Sequence, residues 1–144
     1  MEEIKSQLSS LGFTGEIDDS AATKEHYSHD ASMFEIVPQL VAFPKSSHDV
    51  QILVKVVADR KKSHSDLSLT ARSAGTDMAG GAINDSIIVD FNRHLTHIEK
   101  VSSTSAQTQP GVFYRDFEIA TLKHGALMPS YPASRELCTV GGMV

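Results

Sequence analysis

Arg72-Ser73-Ala74-Gly75-Thr76-Asp77-Met78-Ala79-Gly80-Gly81-Ala82 is the stretch on which the reading of this chain turns. Three of the nine glycines in the 144 residues, Gly75, Gly80 and Gly81, fall inside it. Glycine tolerates positive φ and close backbone approach, so such a run can aim several N–H groups into one concavity and hold a phosphate without lysines. Two familiar phosphate loops are excluded. Gly75 and Gly80 have the Walker spacing, but Gly81 and Ala82 stand where that loop needs Lys and Ser/Thr, and no Gly-x-Gly-x-x-Gly run occurs. By composition alone, a glycine-rich turn between two strands explains the stretch equally well. Arg72 either braces the loop or reaches a ligand.

The flanks read as strands. Leu67-Ser68-Leu69-Thr70-Ala71 alternates, and Ile87-Ile88-Val89 is a compact apolar run. Upstream, Leu40-Val41-Ala42-Phe43 closed by Pro44 reads as a buried strand. Ser46 and Asp49 then form a capping-box-like start to a helix whose apolar face is expected to be Val50, Leu53, Val54 and Val57, ending in Arg60-Lys61-Lys62. Nearer the N-terminus, Ile4, Leu8 and Leu11 mark a short amphipathic helix over Met1 to Ser10. Asp18-Asp19-Ser20 offers an N-cap for a helix through Tyr27, and the chain after Asp30 is extended toward Pro38. Downstream, Leu95 to Val101 and Ser105 to Gln109 form a candidate strand pair. Pro110-Gly111 breaks the chain, and Val112 to Lys123 is helical with Phe113, Phe117 and Ala120 on one face.

Composition removes several function classes. Thirteen Lys+Arg against eighteen Asp+Glu give a formal net charge of −5, with no basic run longer than Arg60-Lys61-Lys62, which argues against nucleic acid as a partner. The single cysteine, Cys138, cannot pair within the chain; it fits a reducing compartment, so a cytoplasmic location is expected, with Cys138 a small buried or loop thiol and not a nucleophile. No apolar run is long enough for a membrane span, and no signal-peptide pattern opens the sequence. His94 and His97, three apart on an extended segment, point to opposite faces, and His26-x-x-His29 has no accompanying Cys or carboxylate pattern, so no metal site is expected.

A second patch, Pro129-Ser130-Tyr131-Pro132-Ala133-Ser134 continuing to Thr139-Val140-Gly141-Gly142, combines rigid prolines with a double glycine that would let backbone approach a flat or anionic ligand. Taken in order, Tyr27-Ser28-x-Asp30-x-Ser32, Pro38-x-x-Val41-x-x-Pro44-x-Ser46, Arg72-x-x-Gly75-Thr76-x-x-x-Gly80-Gly81, Pro110-Gly111-Val112 and Pro129-x-x-Pro132-x-Ser134 with Thr139-Val140-Gly141-Gly142 form a recognisable series. From about Tyr27 onward the chain resembles the N-terminal part of the FAD-binding domain of the vanillyl-alcohol oxidase/PCMH-type flavoproteins. Within them it is most similar to the D-lactate dehydrogenase and glycolate oxidase FAD-subunit branch.

The resemblance implies an α+β fold: residues 1–144 would be the first subdomain (β-α-β-β) and the start of the second, a truncated fragment equal to about the first third of such an enzyme and inactive alone. It places Ala74, Gly75, Thr76, Asp77, Met78, Gly80 and Gly81 around the FAD diphosphate, held by the backbone amides from Ala74 to Gly81. It places Pro132, Ser134, Thr139, Gly141 and Gly142 along the diphosphate, ribityl and flavin region. Asp77 stands where many members have Ser; a carboxylate beside a diphosphate is repulsive unless it accepts loop N–H bonds or faces away. Ser73 replaces a common glycine, which implies an ordinary φ. The loop has no His, so non-covalent FAD is expected. No catalytic residue is assigned within the chain. The implied activity is oxidation of a small 2-hydroxy acid such as D-lactate or glycolate by hydride transfer to FAD, with electrons passing to a separate acceptor. The alternatives are a sugar or alcohol oxidase on the same fold, or a non-catalytic nucleotide-binding module.

Overall fold

The computed structural model describes all residues from Met1 to Val144. In chain order the elements are α1 (Glu2–Ser10), β1 (Glu16–Asp18), α2 (Ala21–Tyr27), β2 (Leu40–Phe43), α3 (Ser47–Arg60), β3 (Leu69–Arg72), β4 (Ile87–Asp90), β5 (Ile98–Val101), β6 (Ala106–Thr108), α4 (Tyr114–Leu122) and α5 (Val140–Met143). The class is α+β. β2-α3-β3-β4 is the expected β-α-β-β unit, and a β5–β6 hairpin with α4 begins the next. The main sheet has the order β1-β2-β4-β3, in which β4 lies between β2 and β3 and is parallel to both.

Strand β1 is not signalled by hydrophobic period. It pairs antiparallel with β2, Ile17 opposite Ala42, and covers an edge that would otherwise leave the β2 backbone unpaired. Both central strands are buried on both faces, so their apolar runs divide by alternation. Leu40, Ala42, Ile87 and Val89 pack beneath α1 and α3 with Ile4, Leu8, Leu53 and Val56. Val41, Phe43 and Ile88 face the other way and close on Tyr27.

Two helix faces differ from expectation. The buried face of α3 is Asp49, Ile52, Leu53, Val56 and Val57; Val50 is half-buried and Val54 is exposed. Both stripes satisfy the helical period, and the one carrying Ile52 and Val56 wins because it meets the sheet beside α1. On α4 the buried residues are Tyr114, Phe117, Glu118 and Thr121. Phe113 is the N-cap and Ala120 lies at the boundary, because the helix starts at Tyr114 with its hydroxyl donating to the Met128 carbonyl at 2.7 Å.

The α3 cap also differs from a full capping box. Ser46 Oγ accepts from the Asp49 amide at 3.1 Å as expected. Asp49 does not return the bond to Ser46; its fully buried carboxylate accepts from the amides of Thr14 and Lys45, both at 2.8 Å, and from the Thr14 hydroxyl at 3.0 Å. Burial pushes this carboxyl up, but those bonds outweigh it and hold it below the usual range. The charge thus ties the start of α3 to the loop after α1.

Two predictions follow from this packing. Leu53→Ala is expected to cost about 2–5 kcal/mol in equilibrium denaturation, whereas Val54→Ala costs under about 0.5 kcal/mol; equal costs would place the buried stripe where the sequence alone suggested. A depressed folded-state pKa stabilises above the unfolded value of about 3.9 and stops doing so as pH falls through the folded value. Asp49→Ala is therefore expected to lose about 1–3 kcal/mol at pH 7. The deficit should shrink once the pH falls below about 4. A deficit independent of pH would show that the carboxylate charge is not what holds the loop.

Candidate functional site

Because β3 and β4 are parallel neighbours, residues 73–86 cannot form a hairpin turn; they must leave the carboxyl end of β3 and return to the start of β4. The glycine-rich stretch is the first part of this crossover and lies over the carboxyl ends of the strands, where open sheets of this kind receive ligands. Gly75 and Gly80 have φ of +67° and +86°, and Ser73 has an ordinary negative φ. The loop is anchored from outside: the Ala31 amide donates to the Gly75 carbonyl at 3.0 Å. The consecutive amides of Ala74, Gly75, Thr76, Asp77 and Met78 donate to no protein acceptor. Such a run of free amides on a concave backbone is anion-binding geometry.

Two of the amides further along are not free. Asp77 Oδ2 accepts from the Ala79 amide at 3.2 Å and from the Gly81 amide. Within the expected donor stretch from Ala74 to Gly81, the loop's own carboxylate therefore takes the amides of Ala79 and Gly81, and the uninterrupted free run is Ala74–Met78.

Arg72 is a brace. It is buried, its Nη1 donates to the carbonyls of Tyr27 (3.4 Å) and Ala82 (3.3 Å), and its guanidinium carbon lies 5.1 Å from the centroid of the Tyr27 ring. It thus joins the two ends of the glycine-rich stretch to α2. Burial pulls the guanidinium below its ordinary value, opposed by Tyr27, Asp30 and Asp90. Tyr27 in turn donates its hydroxyl to Asp90 Oδ2 at 2.9 Å, and burial together with the Asp90 charge pushes the phenol up. A Cβ at Gly75 would lie 2.6 Å from Arg72 Nη2, so this glycine is required both by its φ and by the guanidinium beneath it.

The other wall comes from the end of the chain. Thr139 caps α5, Val140 N donates to the Val112 carbonyl, and Gly141 N donates to the Pro110 carbonyl, both at 2.8 Å. A Cβ on Gly141 would lie 2.5 Å from Pro110 Cβ, so the absence of a side chain here makes room for Pro110. Gly142 faces Ser73 across the gap, its missing Cβ 3.5 Å from that of Ser73. Between the two walls is a cleft of about 460 Å³.

Of the residues singled out in the sequence, Ala74, Gly75, Thr76, Asp77, Gly81, Thr139, Gly141 and Gly142 line this one cleft. Four do not. Met78 projects into solvent, Gly80 packs near Phe34, and Pro132 and Ser134 belong to an outer segment fastened to α4 by the Arg135–Glu118 ion pair. Phe91, Pro110 and Cys138 line the cleft without having been assigned to it. Pro110-Gly111 was a detectable signal; Phe91 had none, since only the end of β4 brings it there. Cys138 is buried, as expected of a structural thiol. His26 and His29 do not share a site; His29 instead lies beside the exposed Glu25 and Glu35.

The comparisons agree with this geometry. The sequence profile described as FAD binding domain matches residues 38–144. D-2-hydroxyglutarate dehydrogenase of Escherichia coli (strain K12) is 29% identical over 140 residues, which are 96% of this chain and 14% of that protein. Glycolate oxidase subunit GlcD of Bacillus subtilis (strain 168) is 25% identical over 146 residues, 99% of this chain and 30% of that protein. The chain thus spans between 14% and 30% of the length of these curated relatives. Among solved structures, alkyldihydroxyacetonephosphate synthase superposes with a TM-score of 0.79 at 18% identity, covering 99% of this chain and 28% of that one. p-Cresol methylhydroxylase superposes with a TM-score of 0.76 at 17% identity, covering 98% and 28%.

Gly75→Ala is expected to destabilise the protein by about 1–3 kcal/mol, because it combines an unfavourable φ with a collision on Arg72. Gly142→Ala, with only ordinary contact distances around it, is expected to stay within about 0.5 kcal/mol of the parent in the same urea titration. Equal effects would mean that the loop is not held against its brace.

Proposed function

The chain belongs to the FAD-binding domain family, and on that premise we propose that the cleft holds the diphosphate of FAD non-covalently, as part of a flavoenzyme that oxidises a small 2-hydroxy acid. The observation that carries this reading is the run of unpartnered amides from Ala74 to Met78, of which the residues Ala74 to Asp77 line a cleft that Thr139, Gly141 and Gly142 also line. The fit is chemical: a diphosphate offers acceptors only, and a backbone cradle with free donors matches it. The residues that would hold the group are Ala74, Gly75, Thr76, Asp77 and Met78 through their amides, with Gly80 and Gly81 shaping the turn. Thr139, Gly141 and Gly142 form the facing wall, and Pro132 and Ser134 lie further along the same segment.

FAD when bound supplies the hydride acceptor for oxidation of the carbinol carbon. What residues 1–144 contribute is binding, orientation and a walled cleft; we assign them no catalytic residue. The substrate class is supported by relatives named for 2-hydroxyglutarate and glycolate. D-Lactate and glycolate are the small members of that class we favour, with a separate electron acceptor completing the turnover. No helix is long and apolar enough to cross a membrane. A cytoplasmic location is proposed on the single, unpaired cysteine.

The test is bound flavin per polypeptide in the purified full-length gene product. Flavin absorption that co-elutes on gel filtration and is released into the supernatant by acid precipitation is expected. Gly75→Val, confirmed as folded by circular dichroism, should lose most of that flavin, and the exposed-surface variant Lys61→Ala should keep it. A folded parent protein without flavin, or full flavin in Gly75→Val, overturns the reading.

A further inference from the structure

We propose that Asp77 is a built-in competitor for the anion that this loop binds: its carboxylate occupies amides a phosphate group would take, and its charge sets how tightly the cleft grips a diphosphate. The inference rests on the reading of the cleft as a diphosphate site.

Three observations carry it. First, Asp77 Oδ2 is bonded to the amides of Ala79 and Gly81, in the same turn that leaves Ala74–Met78 free. An ionised carboxylate is an acceptor-only anion, so toward these donors it does what a phosphate oxygen would do. Gly81 is shaped for it: a Cβ there would lie 2.9 Å from Asp77 Oδ2, so this glycine makes room for the carboxylate. Second, Asp77 carries the only formal charge among the residues lining the cleft, and that charge is negative. The neighbouring cation cannot offset it by direct pairing, because the Arg72 guanidinium lies beneath the loop and is bonded to the carbonyls of Tyr27 and Ala82. A phosphate seated on the Ala74–Met78 amides therefore meets like charge at the end of the same turn. Third, the Asp77 residue is exposed to solvent. Its carboxylate has a hydrated alternative to the loop amides, so an incoming phosphate can displace it without stranding a buried charge.

The competition predicts a direction opposite to that of a simple loop brace. If the carboxylate merely held the turn in shape, removing it would weaken anion binding. If it competes, removing its charge strengthens binding even when the acceptor oxygen is kept. Asp77→Asn keeps an oxygen for the Ala79 and Gly81 amides and removes the charge; Asp77→Ala removes both.

The experiment titrates the full-length gene product, apo-prepared, and both variants with FAD and separately with ADP, which carries the diphosphate without the flavin. At low ionic strength Asp77→Asn is expected to bind both ligands about fivefold tighter than the parent, the size of one partly screened like-charge contact. Asp77→Ala should bind at least as tightly as the parent. Raising the salt to about 0.5 M should narrow the gap between parent and Asp77→Asn, as a charge effect must and a shape effect need not. Asp77→Asn binding no tighter than the parent, Asp77→Ala binding more weakly, or a gap indifferent to salt overturns the proposal. A parent that binds FAD while the variants show no gain leaves the FAD reading standing and removes this one. A parent that fails to bind FAD, with Asp77→Asn still gaining on ADP, does the reverse. Absence of binding by every protein to both ligands removes both.

Discussion

The parallel pairing of β3 with β4 is the constraint from which the rest of this structure follows. Antiparallel strands could have been joined by a tight turn, and the glycines between Arg72 and Ile87 would then have been turn residues. Parallel pairing instead sends the chain back along the sheet, and it does so without a helix. A long irregular connection at a sheet end exposes many amides, and the burial of Arg72 at the loop's root is what keeps it in one shape. The guanidinium, at one end of the glycine-rich stretch, donates to the Ala82 carbonyl at the other end and to the Tyr27 carbonyl on α2, and lies over the ring of Tyr27, which is itself held by Asp90 at the end of β4. The register Arg72 opposite Asp90 means that the brace and its counter-charge are set by the same strand pairing that creates the need for them.

The electrostatics of the chain repeat one device. Asp18, Asp30 and Asp90 each accept the amide two residues ahead, at 2.8, 2.9 and 2.8 Å, and Asp77 does the same to Ala79 at 3.2 Å. Asp49 does so over a longer reach, taking amides from two separate segments. In each case a carboxylate satisfies backbone donors that have no place in a helix or a sheet ladder. An acidic chain that stabilises its turns in this way can also receive an outside anion by the same donors, provided some are left free, and the Ala74–Met78 amides are. Binding through amides places the donors rigidly and needs no long side chain to be ordered, which suits a cofactor that must be held in one orientation.

Sequence alone determined the elements whose signal is local. The apolar run Leu40–Phe43, the Ser46 cap, the Ser20 cap and the break at Pro110-Gly111 each depend on neighbours along the chain, and each is where the residues placed it. The ordered series of motifs was legible too, as was the gathering of glycines that marked the loop. What the tertiary structure decided is everything that depends on which surfaces meet. Two stripes on α3 satisfied the same helical period, and only the position of α1 and the sheet selects Ile52 and Val56 over Val50 and Val54. The three-residue β1 exists because β2 had an open edge. Phe91 enters the cleft because β4 ends beneath the loop, and Pro132 and Ser134 stay outside it because Arg135 and Glu118 fasten their segment to α4. The roles of individual glycines divide on the same line. Gly75 and Gly81 make room for Arg72 and Asp77, close neighbours along the chain, whereas Gly141 makes room for Pro110, which only the fold brings beside it. At Gly141 the sequence shows only that a side chain is missing; the atom that fills the vacated space belongs to another part of the chain, and only the fold brings it there.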